Sequence, residues 1–203
     1  MGELKSAREL ALERIAKMNS AREADPAAKL RWEFEPKGQE IAGQFLNSDN
    51  KEKMDLNAEL MAITDEEGRQ VAKKAMTTVF LNYIVLVDTL HEKRQVERAL
   101  TGLREIKEDK EGFDLINNDL MEIYRHNAAQ GQEKRKQMKE ALTQSYMQQL
   151  EQLKQQGMQI DMQQMAPDNS PEFQQQYRYY LNEIDNGYKT GIEECKQRLA
   201  ALS

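Results

Sequence analysis

Cysteine, proline, glycine and aromatic residues are all scarce in this chain of 203 residues, and each shortage closes off a class of protein. A single cysteine, Cys195, leaves no intrachain disulfide framework. Four prolines and ten glycines punctuate the chain too seldom for a loop-rich fold. No run approaches the roughly 18 apolar residues of a membrane-spanning helix, and the mean hydropathy is −0.86. Basic residues do not dominate either. The formal net charge is −6 and the pI is near 5.2, which argues against a broad basic surface for nucleic acid. The opening MGELKSARELALERIAKM carries Glu3, Lys5, Arg8, Glu9, Glu13 and Arg14 inside every apolar run. A secretory leader needs an unbroken apolar stretch, so the cytoplasm is the expected compartment.

What the chain does have is helix-forming, charged and Gln-rich sequence, with 32% charged residues. No segment alternates with period two for long, so the expected fold class is all-α. Leu4, Ala7, Ala11, Ile15 and Met18 recur at spacings of three and four and predict a first helix over Glu3–Asn19. Asp25-Pro26 restarts the chain. Trp32 and Phe34, close to Pro36 and Gly38, predict an extended turn that anchors an aromatic. Ile41, Phe45 and Leu46 then carry a short helix.

A polar connector over 47–53 leads to the short helix DLNAELMAI. Asp65-Glu66-Glu67 opens the next helix, where carboxylates favour the positive end. It is expected to run through Val87, with Val79–Val87 as a buried central helix and a strand as the local alternative. Val96, Ala99, Leu100, Leu103 and Ile106 form one face of a helix over Glu92–Asp109. A break is expected near Glu111-Gly112.

Beyond it, Phe113, Ile116, Leu120, Ile123 and Tyr124 form a new apolar stripe. Met138, Leu142, Ser145, Gln149 and Leu153 continue it sparsely. An unbroken helix from Phe113 to Gln156 would be about 65 Å long, unless Gly131 kinks or splits it. Residues 157–170 read as a loop. Ser170 caps a last helix that Pro171 begins, along which Tyr177, Leu181, Ile184, Tyr188, Cys195 and Leu202 make a near-heptad stripe, with Ile192 and Leu199 beside it. The expected architecture is a compact N-terminal helical part over 1–112 and a long antiparallel, coiled-coil-like helical hairpin over 113–203.

Five segments in this order carry a resemblance. They are ELKSARELALER near the N-terminus, W-x-x-x-P-x-G-x-x-I-A-x-x-F-L from Trp32 to Leu46, ALTGLREIKEDK from Ala99 to Lys110, GQEKRKQ from Gly131 to Gln137 and PEFQQQYR from Pro171 to Arg178. Together they resemble an uncharacterised family of bacterial helical proteins of about this length. The resemblance implies a helical protein and transfers no activity and no site.

Chemical motifs are thin. Glu122 and His126 stand at i and i+4, but no paired Glu-x-x-His motif of a di-metal bundle is present. Cys195 lies in an apolar stripe, where a cysteine behaves as a small hydrophobe. No phosphate-binding glycine loop occurs. Lys134, Arg135, Lys136 and Lys139 are flanked by Glu133 and Glu140, which makes a mixed solvated face. Gly187 and Gly191 allow a close helix approach. Tyr177, Tyr179 and Tyr180 cannot all face one seam.

The sequence thus predicts no catalytic residue, metal, cofactor or small-molecule substrate. It predicts a non-enzymatic interaction or scaffold protein that docks a protein partner or a second copy through the hairpin. Tyr177, Leu181, Ile184 and Tyr188 are the candidate contact residues. The alternative is a chaperone-like or secretion-associated adaptor holding a client at the Met/Gln-rich tip, with Met158, Met162 and Met165.

Overall fold

The computed structural model describes residues 8, 25–48, 54–87, 89–157 and 166–203. The expected helix over Glu3–Asn19 lies outside these residues, Arg8 apart, and so do Met158, Met162 and Met165. The described residues are all-α and contain no strand. They form two compact units. One gathers the residues up to Tyr83 with Arg94–Glu108, and the other gathers Ile84–Lys93 with Asp109–Ser203.

The first unit is built on α1 (Pro26–Asn47) and α3 (Glu66–Asn82). Asp25 caps α1 by accepting the Ala27 N–H at 3.0 Å. Pro36 does not interrupt α1, so the extended turn expected around Trp32–Gly38 is corrected to continuous helix. An interior proline costs a helix roughly 3 kcal/mol. Burial explains why the helix survives it: Phe34, Gly38, Ala42 and Leu46 recur every four residues and are all buried, against α3. The aromatic that anchors this stretch is Phe34, while Trp32 is 58% exposed.

The α1–α3 contact is close because its residues are small. A Cβ on Gly38 would strike the backbone of Ala72, and one on Gly68 would strike the Phe34 ring. Asp65 caps α3 by accepting the Gly68 N–H at 2.8 Å. The helix stops at Asn82, five residues short of the expected Val87. Ile84 and Leu86 are buried while Val85 between them is 41% exposed. This alternation of buried and exposed side chains suits an extended segment over the β-branched run.

The short α2 (Leu56–Met61) is capped by Asp55 and held by Glu105, whose Oε1 accepts the Leu56 N–H at 2.6 Å. α4 (Leu90–Ile106) begins two residues earlier than expected. Thr89 and Glu92 cap each other's backbone, with the Thr89 N–H donating to Glu92 Oε2 at 2.8 Å and the Glu92 N–H to Thr89 Oγ1 at 3.2 Å. The whole predicted face of α4 is buried, from Val96 to Ile106. Gly102 makes room for Phe80, whose ring lies 2.6 Å from where a Cβ would stand. Phe80 in turn meets Phe45 edge-on at 5.7 Å. Lys73 pairs with Glu108 at 2.8 Å.

In the second unit α5 (Lys110–His126) begins just before the expected break at Glu111-Gly112. Asp109 is its cap and accepts the Gly112 N–H at 2.8 Å. α5 passes through a π-turn (Asn127–Gly131) into α6 (Gln132–Gln155) without leaving helical torsions at either junction. Gly131 therefore does not split the helix. Gly157, at φ +88°, follows the end of α6. α7 (Pro171–Ala201) starts as the sequence predicts, with the Phe173 N–H donating to Ser170 Oγ at 3.3 Å. It runs antiparallel to α5 and α6. Arg198 meets Asp119, Gly191 approaches Ile123, Tyr188 meets His126, Asp185 meets Arg135 and Phe173 meets Tyr146.

Candidate functional site

The residues singled out from the sequence fall on one unit, and the structure divides them. Tyr177, Leu181, Ile184 and Tyr188 are half-buried along α7. They line the seam toward α6 and the π-turn, and none is fully covered. Tyr177 stacks beside the buried Phe173 at 6.2 Å, and Lys139 lies over its ring at 5.8 Å. Tyr179 points elsewhere and is 61% exposed. Residues that belong on one apolar stripe by spacing are therefore the seam itself, and the freely presented aromatic is their neighbour.

Two halves of the seam differ. Phe113, Ile116 and Leu120 of α5 are buried, as are Ile192, Cys195 and Leu199 of α7. α6 buries only Leu142 and Leu150. Of the expected inward positions of α6, Met138, Leu142 and Leu153 are half-buried or buried, and Ser145 and Gln149 are not. Tyr146 and Leu150 face the seam, and Ser145 and Gln149 are exposed. A π-turn inserts one residue into the helical register, and at these two places the inward residue is the one after the expected residue.

A polar cluster surrounds that turn. Arg135 Nη2 donates to Asn127 Oδ1 at 2.8 Å and to Asp185 Oδ1 at 2.6 Å, and its Nε donates to the same Asp185 oxygen at 3.0 Å. Asn127 is buried, and the side chains of Arg135 and Asp185 are 17% and 21% exposed. One guanidinium therefore ties the turn to α7 with charge-assisted hydrogen bonds. Tyr188 hydroxyl lies 3.0 Å from His126 Nδ1. Gly131 leaves room for both Asn127 Oδ1 and the Tyr188 ring, which a Cβ would meet at 2.5 and 3.1 Å. Beside them is a cleft of about 420 Å³ lined by Glu122, Ile123, Arg125, His126, Gly187 and Tyr188. Gly187 faces open space, whereas Gly191 makes the close approach, its Cβ position 3.0 Å from Ile123.

Reactive groups are muted. Burial pushes the Cys195 thiol above its ordinary pKa, with Arg198 partly opposing it, so the nucleophilic thiolate is disfavoured. Burial likewise pushes the Tyr124 phenol up, and its hydroxyl donates to the Val85 carbonyl at 2.8 Å. Among the described residues no three His, Cys, Asp or Glu side chains gather where they could hold a metal, and no helix is long and apolar enough to cross a membrane.

A family model matches residues 57–201, from α2 to the end of α7. The chain belongs to a family of unknown function, DUF6657. The DUF6657 match includes the π-turn, Arg135, Asp185 and both helices of the sparse seam. Neither a curated protein nor a solved structure matches the chain. The polar cluster was not foreseen from the sequence. Its signal was an asparagine and a glycine four residues apart, in the gap between two apolar stripes.

Proposed function

We propose that this DUF6657 protein is a non-enzymatic helical interaction or scaffold protein, and that α6 and α7 dock a protein partner or a second copy of the chain. One observation carries the reading. A 24-residue helix, α6, buries only Leu142 and Leu150, while Tyr177, Leu181 and Ile184 opposite it remain half-covered. A helix gains most of its stability from packing an apolar face, so a pair this thinly packed has apolar surface left to give. Met147 and Tyr179 add exposed apolar contact area on the same two helices, and methionine and tyrosine are favoured in such contacts. A single buried thiol fits a reducing compartment, and we assign the protein to the cytoplasm on that ground.

The test is site-specific photo-crosslinking in the full chain, with light scattering of the same sample. A crosslinker at Tyr179 or Met147 should give one discrete adduct, either a second copy or one partner. A crosslinker at Glu59, an exposed position in the first unit, should not give it. Equal adducts from Glu59 and Tyr179, or a monomer with no adduct from either, would remove the reading.

A further inference from the structure

The π-turn is an unusual element to find inside a helix that otherwise keeps α torsions. His126, Asn127, Gly131 and Gln132 all have φ between −65° and −62° and ψ between −45° and −41°. The helix therefore enters and leaves the turn in α geometry, and the turn shifts the hydrogen-bond register by one residue. What holds the wider turn is side-chain chemistry: Asn127 inside it, Arg135 one turn beyond it, and Asp185 across on α7.

We propose that Asn127–Gly131 is a one-residue register latch, with Arg135 as its pin, that exchanges two faces of α6 against α7. Closing the turn advances each α6 residue by one helical position, a rotation of about 100° and a shift of about 1.5 Å relative to α5. Each inward residue then gives its place to the residue before it. Ala141 takes the place of Leu142, Ser145 that of Tyr146, Gln149 that of Leu150 and Lys134 that of Arg135. The second register brings a lysine toward Asp185 and turns Leu142, Tyr146 and Leu150 off the seam, where they join the apolar surface open to a partner. The latched register hides them. The sequence is written for both: a seam-compatible small or polar residue precedes each of the three apolar ones. Partner control of this exchange rests on the function proposed above; the exchange itself does not.

The experiment reads thiol labelling rates in the full chain carrying Cys195→Ala, with a single reporter at Leu150→Cys or at Gln149→Cys. Position 150 is 4% exposed in the latched register and 149 is exposed. Arg135→Gln should raise the rate at 150 and lower it at 149, so that the ratio of the two rates rises by about tenfold for loss of a charge-assisted pair. A second variant separates the latch from ordinary support. Removing Ala129 deletes the extra residue, so a plain α-helix then keeps Leu142 and Leu150 inward. In that background Arg135→Gln should leave 150 protected. Opposite changes at 149 and 150, abolished by the deletion, support the latch whether or not any partner is found. Rates that rise together at both positions mean local fraying, and unchanged rates mean a fixed turn. Either overturns the proposal, as would an equal rise at 150 with Ala129 removed.

Discussion

The α1–α3 pair and the α6–α7 pair are both made of two helices in contact, yet they are assembled on opposite terms. α1 and α3 meet through Gly38, Ala42, Gly68 and Ala72, with backbone close to backbone and Phe34 and Phe80 filling the flanks. α6 and α7 meet through long, half-covered side chains with Leu142 and Leu150 as the only buried residues of α6. Small residues make a contact tight and intolerant of added volume. Long side chains at a partly wet seam make one that tolerates loss, since a truncated site borders solvent and leaves little cavity. The first pair is tightly packed and the second loosely.

Removing volume should show this most strongly. Phe80→Ala is expected to cost about 3–5 kcal/mol in denaturant unfolding, because a fully buried ring leaves a cavity. Adding volume comes next. Gly38→Ala should cost about 1–3 kcal/mol despite its better helix propensity, because the new methyl meets backbone that cannot swing aside. Leu142→Ala in the other pair should cost only about 1–2 kcal/mol. Hydrogen exchange should then quicken over 132–155 and remain unchanged over 66–82. Equal costs for Phe80→Ala and Leu142→Ala would erase the contrast. The smallest effect lies on the surface of the first unit. A hydrogen bond from Lys73, with its charge, holds the Glu108 carboxyl below the usual glutamate range. A lowered folded pKa gives stability that is present at neutral pH and lost as the pH falls through the folded value. Melting temperatures of the natural chain and Glu108→Gln should therefore differ slightly at pH 7 and converge below about pH 4.

Much of this was legible one helix at a time. Asp65 with Glu66 and Glu67, and Ser170 with Pro171, mark their helix starts because capping is a local matter of side chain and nearby N–H groups. The buried face of α4 follows from spacing alone. The failures have physical causes too. Pro36 and Gly38 read as a turn, since a helix that overrides a proline does so through tertiary burial that no local signal reports. The end of α3 was missed because Ile84–Val87 is apolar in any periodicity. Thr89 and Glu92 form a capping box that marks the start of α4 locally, and it went unread. At the site, the expected stripe of α7 is half-buried, but on α6 the stripe was carried through Ser145 and Gln149, which are exposed. Met138, Leu142 and Leu153 of that stripe do turn inward; the slip at 145 and 149 lies beyond a π-turn whose tie through Arg135 to Asp185 no spacing reports.

The antiparallel return of α7 also has a consequence in time. Asp119 waits for Arg198, 79 residues later, before its partner exists. At translation rates of about 5–20 residues per second that delay is roughly 4–16 s. During it Phe113, Ile116 and Leu120 wait for the stretch of α7 that carries Ile192, Cys195 and Leu199. A face that is buried in the finished unit thus needs shelter while the protein is being made.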